Sequence, residues 1–372
     1  MAEGAKKGFS GIGGQAVLEG VMMKNGEKYA VAVRKPDGNL TVEVEHYAGI
    51  LHNSPIQKIP FVRGIFNFID SMVLGMRALN YSASFYDVES EKEARRDSKK
   101  VKSDSRSNAS TVMITIISLI LAVGLFVVLP TYLSTLFDSF IRNDSLIAII
   151  EGVIRILIFL AYIIFISSLK DIRRLYAYHG AEHKCINCIE RGRLLTVKNV
   201  TQSSRFHKRC GTSFIYLVVF ISVILFIFIR VDTLWLRLVV RVAMIPVIAG
   251  ISYEILRLAG KYDNIFISII SAPGLWIQRF TTREPDKYMV QVAIASVEAV
   301  FDWKAYLKEA YDYEVTDDML GQDEEGDHIR FRYKEEIEEF SALKDPDEAF
   351  PLEDDWEEGA ELEEPDEDDW ED

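Results

Sequence analysis

The chain alternates between long apolar runs and densely charged blocks. Four runs approach or exceed the length needed to cross a bilayer, about 20 residues. They cover residues 112–130, 146–169, 214–229 and 234–258, and charged residues close each one. A buried core helix of a soluble protein can imitate one such run. Four of them predict four transmembrane helices. Shorter patterns fill the rest of the chain. "YAVAVRKPDGNLTVEVEHY" alternates on both sides of Asp37-Gly38, Ala with Val before it and Val with Glu after it, which predicts a β-hairpin. Ahead of it, "GIGGQAVLEGVMM" combines a glycine turn with Gln15 and Glu19 on an otherwise apolar stretch. Residues 59–86 read as an amphipathic helix, packed on the soluble part or lying in the membrane interface. The run that begins at Ile265 is interrupted at Pro273-Gly274. It is too short for a fifth span and predicts a re-entrant or interfacial segment. "PDKYMVQVAIASVEAVFDWKAYLKEAY" has Pro285 near a helix start and apolar residues at helical spacing.

Charge then orients the spans. "RRDSKKVKSDSR" precedes the first, "LKDIRR" follows the second, and Arg257 and Lys261 close the fourth. The stretch 131–145 holds Arg142 as its single basic residue, and the turn "VDTL" is tiny. Basic flanks stay in the cytoplasm, which places both termini inside. Residues 311–372 carry 29 acidic and 4 basic side chains, a net of −25 in a chain of −14 overall. The remainder is therefore basic, and the tail is too polar to bury a core. The N-terminus has no unbroken apolar core, so no cleaved targeting segment is expected. Inside the spans, Glu151 and Arg155 are four apart and Arg237 and Arg241 share a face. That spacing favours an internal ion-pair cluster over a transport pathway.

These patterns predict an α-helical integral membrane protein. It has four transmembrane helices and a small α+β cytoplasmic domain, built from the N-terminal hairpin and the loop between spans two and three. The expected organisation is a strand region at 1–58, then an amphipathic helix and basic linker at 59–108. A four-span part at 109–260 carries a His/Cys loop at 170–212. An interfacial segment and helix at 261–316 and a disordered acidic tail at 317–372 follow. The partner is the lipid bilayer; no nucleic-acid partner is expected.

The chemistry concentrates in one place. Three of the six histidines and all three cysteines fall between residues 179 and 210. In "HGAEH", His179 and His183 are i and i+4, on one helix face within reach of one metal ion. Glu182 between them completes His-x-x-Glu-His, the inverted zincin pattern. There two histidines hold zinc and the glutamate acts as general base. A third ligand comes from downstream: Glu254, His207 or Cys210. A second arrangement uses Cys185, Cys188, His207 and Cys210 as a closed structural zinc site. The cysteines do not form a disulfide framework.

Five strings, "GGQAVLEGVMMKNG", "YHGAEHKCIN", "RFHKRCGTSF", "GISYEILRLAG" and "PGLWIQRFTTREPD", occur in this order. Over roughly residues 10–300 the chain resembles the bacterial YqhQ-type family, a domain of unknown function whose members are often described as predicted metal-dependent enzymes. The resemblance implies a bacterial cytoplasmic-membrane protein. It carries over Gln15, Glu19, His179, Glu182, His183, His207, Cys210 and Glu254, and leaves out Cys185 and Cys188. Two functional classes follow. The first is a zinc-dependent hydrolase with Glu182 as base and Gln15 and Glu19 holding substrate or supporting the ligands. Peptide, lipid headgroup and small ester all fit as its substrate. The second is a non-enzymatic factor that binds and stabilises another membrane complex, such as translocation or quality-control machinery.

Overall fold

The computed structural model describes residues 8–51, 54–97, 113, 116–137, 139–141, 143–229, 231, 233–262, 264–316 and 319. The acidic tail beyond residue 319 and the basic stretch 98–112 lie outside the described residues. Two compact units divide the chain, Met1–Lys35 with Leu40–Arg330 and Pro36–Asn39 with Phe331–Asp372. Of the second, the turn Pro36–Asn39 is described. Its Asp37 carboxylate accepts from the backbone and side-chain N–H groups of Asn39, at 3.0 Å each.

In the larger unit the alternating segments form four strands: β1 (Gly13–Val17), β2 (Gly20–Asn25), β3 (Lys28–Arg34) and β4 (Leu40–His46). They make an antiparallel meander in the order β1-β2-β3-β4. The period-two pattern sorts the faces. Val17, Met22, Tyr29, Val31 and Val33 form one core with Leu74 and Ala78 of helix α1 (Val62–Asp97). Ala30 and Ala32 point the other way, and their small side chains let helix α10 (Lys287–Val300) approach the sheet closely. Ser296 of α10 donates to the Ala30 carbonyl at 3.1 Å. Two strands would have been marginal alone; here the central strands β2 and β3 are buried on both faces.

Among the described residues three helices are long and apolar enough to cross a membrane: α2 (Ile116–Thr135), α3 (Asp144–Ser167) and α6 (Gly211–Phe228). A fourth exists if the bent pair α7 (Leu234–Ala243) and α8 (Ile245–Lys261) is one span. The run expected as a span over 234–258 consists of two helices meeting at 41°. Pro246 stands in the first turn of α8 and has no N–H to continue the ladder. The first run also continues past its expected end at Pro130. A π turn at Gly124–Val128 precedes the proline, and the helix runs on to Thr135. Pro130 has no N–H to give to the preceding turn, and there Arg155 Nε donates to the Phe126 carbonyl at 3.1 Å.

This arginine belongs to the predicted ion-pair cluster. Glu151 Oε1 accepts from Arg155 Nη2 at 2.6 Å and from Thr131 at 3.1 Å, and pairs with Arg241. Arg155 Nη1 reaches Ser222 at 3.1 Å, so the cluster ties α2, α3, α6 and α7 together. Arg237 instead donates to the Val231 carbonyl. Glu151 is 2% exposed. Glu151→Leu strands two buried arginines and is predicted to cost about 3–5 kcal/mol, read as thermal unfolding in detergent. An unchanged midpoint would refute the structural role.

The segment expected as a loop at 170–212 is largely helical. Helix α4 (Lys170–Glu190) starts two residues after α3, and α5 (Val197–Thr201) follows. The run after Ile265 is one continuous helix, α9 (Ile265–Thr281), with Pro273 inside it. A last helix, α11 (Trp303–Tyr311), follows α10.

Candidate metal centre

Helix α4 carries His179, Glu182 and His183, and its C-terminal half is buried among β1, α5 and α10. Cys210 caps the N-terminus of α6, its Sγ accepting from the Thr212 N–H at 3.4 Å. Ligand atoms of His179, His183 and Cys210 lie within 4.8 Å of one another, and His179 Nε2 is 3.2 Å from Cys210 Sγ. A tetrahedral ion with bonds of about 2.0–2.3 Å needs donor edges of about 3.3–3.8 Å, a small adjustment from this arrangement.

Backbone carbonyls set the tautomers. His179 Nδ1 donates to the Thr281 carbonyl at 2.8 Å, and His183 Nδ1 to the Arg205 carbonyl at 2.6 Å. A carbonyl can only accept, so each Nδ1 holds a proton and each Nε2 turns inward. Metal-binding histidines are oriented in this way by the groups behind them. Glu182 Oε2 sits just outside the three donors, 3.8 Å from His179 Nε2 and 3.9 Å from His183 Nε2.

The charges are coupled without an ion. Burial alone raises the Cys210 thiol, but the neighbouring His179 and His183 pull it well below its ordinary value. Burial opposes protonation of His179, yet the Cys210 thiolate lifts it to about 9. Burial raises the Glu182 carboxyl, against the two histidines and a hydrogen bond from the Gly14 N–H of β1.

Gly14 and Gly180 permit this close packing. A Cβ on Gly14 would meet Met23 Sδ at 2.5 Å and Glu182 Cγ at 3.1 Å. One on Gly180 would overlap the Arg283 carbonyl, next to the segment whose Thr281 carbonyl holds His179. Gly180→Ala is predicted to destabilise by about 1–3 kcal/mol and to weaken metal retention. A variant with native melting temperature and metal content would contradict this.

The remaining candidates are placed as follows. His207 is buried beside the group, its ring 5.6 Å from that of His183. Gln278 of α9 holds its backbone, accepting from its N–H at 2.8 Å and donating to its carbonyl at 2.7 Å. Burial, joined by the Arg209 charge, pushes His207 down to about 4 despite Glu190 at 3.5 Å. Glu254 is not brought to the cluster. Arg63 of α1 takes both its oxygens at 2.6 Å, clamping α1 to α8. Cys185 and Cys188 are buried free thiols outside the converging group; Cys188 donates to the Leu194 carbonyl at 3.3 Å. Hence Cys185, Cys188, His207 and Cys210 do not converge as a set of four. Gln15 packs against Gly75 of α1. Glu19 sits in the β1–β2 loop at φ 50°, where it binds Arg174 at 2.6 Å and Tyr178 at 3.1 Å, both on α4.

Sequence reasoning missed the carbonyls of Thr281 and Arg205 and the N–H of Gly14. Main-chain groups leave no residue signature, and the glycines around Gly14 read only as a turn. The site opens on a cavity of about 710 Å³, which runs from His179, Glu182 and Cys210 past Gln15 to Asn67 and Tyr253.

Fold and site define a class: a mostly helical protein with three or four membrane-length apolar helices, a four-stranded sheet and a buried His-His-Cys group able to hold a metal ion. The chain belongs to the family described as Protein of unknown function (DUF1385), whose model matches residues 59–303. It is similar to the uncharacterized protein YqhQ of Bacillus subtilis (strain 168), 37% identical over 290 residues, which cover 76% of this chain and 90% of that protein. No solved structure matches it. The three converging donors and Glu182 fall inside the matched family region, whereas β1 precedes it.

Proposed function

We propose that this chain is a multi-pass protein of the bacterial cytoplasmic membrane that works as a zinc-dependent hydrolase at the cytoplasmic face. His179, His183 and Cys210 hold the ion, and Glu182 is the general base. The observation that carries this reading is the pair of Nδ1–H bonds to Thr281 and Arg205, which turn two Nε2 atoms toward the Cys210 sulfur. Two imidazoles and a thiolate suit zinc, and three protein ligands leave a fourth position open, as catalytic sites do. When bound, the ion supplies a Lewis acid that brings the pKa of a coordinated water toward neutrality. Glu182, 3.8 and 3.9 Å from the two Nε2 atoms and with its pKa raised by burial, would be the group that takes a proton from such a water. The neutral His207 and the Glu190–Arg209 pair wall the site. Glu19, through Arg174 and Tyr178, holds the β1–β2 loop against the helix bearing the histidines.

The basic flanks support both termini inside. The exposed apolar stripe of α1, with Phe68, Met72, Met76 and Leu79 each at least 37% exposed, suits a helix lying along the bilayer. Reporter fusions after Thr135 are predicted to read external, and those after Gly192 and Tyr288 internal. An internal signal after Thr135 overturns this orientation. The metal and the base are tested by the substitutions set out in the Discussion.

A further inference from the structure

The end of the cavity away from the metal group has a chemistry of its own, which narrows the substrate class; this inference rests on the hydrolytic reading above. In the β1–β2 register Gln15 stands opposite Met22 and Gly13 opposite Lys24. Met22 packs in the core under α1. Residues directly opposite, and those two apart along a strand, share a face. Gln15 and Lys24 therefore lie on the α1 side of the sheet, where Tyr47, Asn67 and Asp70 complete that end of the cavity.

Two opposite charges face this space without meeting. The Lys24 ammonium stands 5.7 Å from the centre of the Tyr47 ring, and no carboxylate among the described residues closes an ion pair with it. Burial lowers its pKa, against the pull of Asp70 and Glu27. Asp70 of α1 accepts from the Tyr47 hydroxyl at 2.7 Å and from the Ile50 N–H at 2.9 Å, both through Oδ1. Its Oδ2 takes no hydrogen bond from the described residues, and Gly49 keeps it uncovered: a Cβ there would stand 2.8 Å from it. The Gln15 amide, packed against Gly75, is likewise without a hydrogen bond among the described residues. Arg209, which also lines the cavity, is paired with Glu190. A cation and an anion held apart in one cavity suit a ligand that carries both charges.

The surroundings give the rest of that ligand. Tyr253 of α8 and Gly211, the first residue of α6, line the cavity, so it abuts the apolar helices. Helix α1 presents Asn67, Asp70 and Leu74 to it, while Phe68, Met72, Met76 and Leu79 lie exposed on another face of the same helix. A charged head joined to apolar chains matches both. We propose that the substrate is a membrane phospholipid with a phosphoethanolamine headgroup, its phosphate at Lys24 and its ammonium at Asp70 Oδ2. A primary ammonium offers N–H donors to that oxygen; a choline headgroup has none, and a glycerol headgroup has no positive charge. Gln15 adds a donor and an acceptor for the phosphate and glycerol oxygens. With the phosphate held here, the glycerol esters beyond it are what can reach the metal group. In the reaction the oxygen of water bonds to the acyl carbon and the C–O bond breaks. Glu182 takes the water's proton and passes it to the departing glycerol oxygen, giving a fatty acid and a lysolipid with no change of oxidation state.

The test uses full-length, zinc-loaded protein carrying Glu182→Gln, so that binding is read without turnover. In detergent it is titrated with dihexanoyl phosphatidylethanolamine, phosphatidylcholine and phosphatidylglycerol by calorimetry. The ethanolamine lipid is expected to bind about 10-fold more tightly than the other two, as one charge-assisted hydrogen bond gives. Lys24→Met and Asp70→Asn are each expected to remove that preference and to leave the zinc content unchanged. Zinc-loaded wild type in nanodiscs of the ethanolamine lipid is expected to release fatty acid, read by mass spectrometry. Equal binding of the three lipids, or a preference that survives both variants, overturns the headgroup assignment. Glycerophosphoethanolamine bound as tightly as the dihexanoyl lipid overturns the lipid in favour of a soluble phosphodiester. Release of ethanolamine in place of fatty acid overturns the placing of the phosphate at Lys24. Selective binding with no cleavage by the wild type overturns the substrate role. In each of these cases, p-nitrophenyl acetate hydrolysis that Glu182→Gln abolishes keeps the hydrolase reading standing, and its absence removes that reading as well.

Discussion

Glu182→Gln is expected to yield a protein that folds, inserts and keeps its metal while hydrolysis falls by about 100- to 10,000-fold. Glutamine preserves the shape of the side chain and can still accept from the Gly14 N–H, but it cannot take a proton. Glu182 is 4% exposed and lies 3.8–3.9 Å from both Nε2 atoms, too close to the donors to be an incidental charge. Burial raises its pKa, so removing the carboxylate removes a group already in an unfavourable place. A loss of folding is therefore not expected, and the loss should appear in turnover. The same variant separates an enzyme from a docking factor. A strain lacking the gene is not complemented by Glu182→Gln if turnover is the function. Full complementation at native expression would exclude hydrolysis and favour a factor that binds another membrane complex.

The second large effect concerns the third ligand. Cys210→Ala is expected to reduce metal content in detergent-purified protein from about one ion per chain to near none. His179→Ala combined with His183→Ala should do the same. A three-donor site that loses its thiolate keeps two imidazoles, which hold zinc far more weakly than three converging ligands. Glu254→Gln provides the contrast. That side chain is occupied by Arg63, so the variant keeps its metal. It loses about 1–2 kcal/mol of stability, between the values for exposed and for buried pairs. Elemental analysis and thermal unfolding on the same samples measure both outcomes. Metal lost from Glu254→Gln but retained in Cys210→Ala would reverse the ligand assignment.

Local pattern made much of the fold legible. The hairpin around Asp37-Gly38, the apolar runs and the helix after Pro285 are each dictated by residues a few positions apart. The two places where an apolar run departs from a plain helix both involve proline. At Pro246 the missing N–H coincides with a bend; at Pro130 a π turn and Arg155 absorb it. Proline's effect depends on which neighbouring group satisfies the freed carbonyl, and that neighbour lies far away in sequence. The two buried alanines of β3 are a similar case. Alternation puts both on one face of the strand, but only the presence of α10 explains why that face is small rather than bulky.

At the site, spacing alone set His179, Glu182 and His183 on adjoining turns of one helix, because helical periodicity is a local property. Choosing the third ligand was a tertiary matter. Glu254, His207 and Cys210 all lie downstream, and each side chain is of a type that can ligate zinc. The fold gives Glu254 to Arg63 and leaves His207 against Glu190. It brings Cys210, at the start of α6, to the inward nitrogens. The hydrogen bonds that turn those nitrogens inward come from main-chain carbonyls, which every residue possesses, so no sequence pattern could announce them. The sequence determined which side chains can do chemistry and the helix face they share. Tertiary packing alone decided which of them meet, since contact between residues 31 positions apart depends on how the helices between them are stacked.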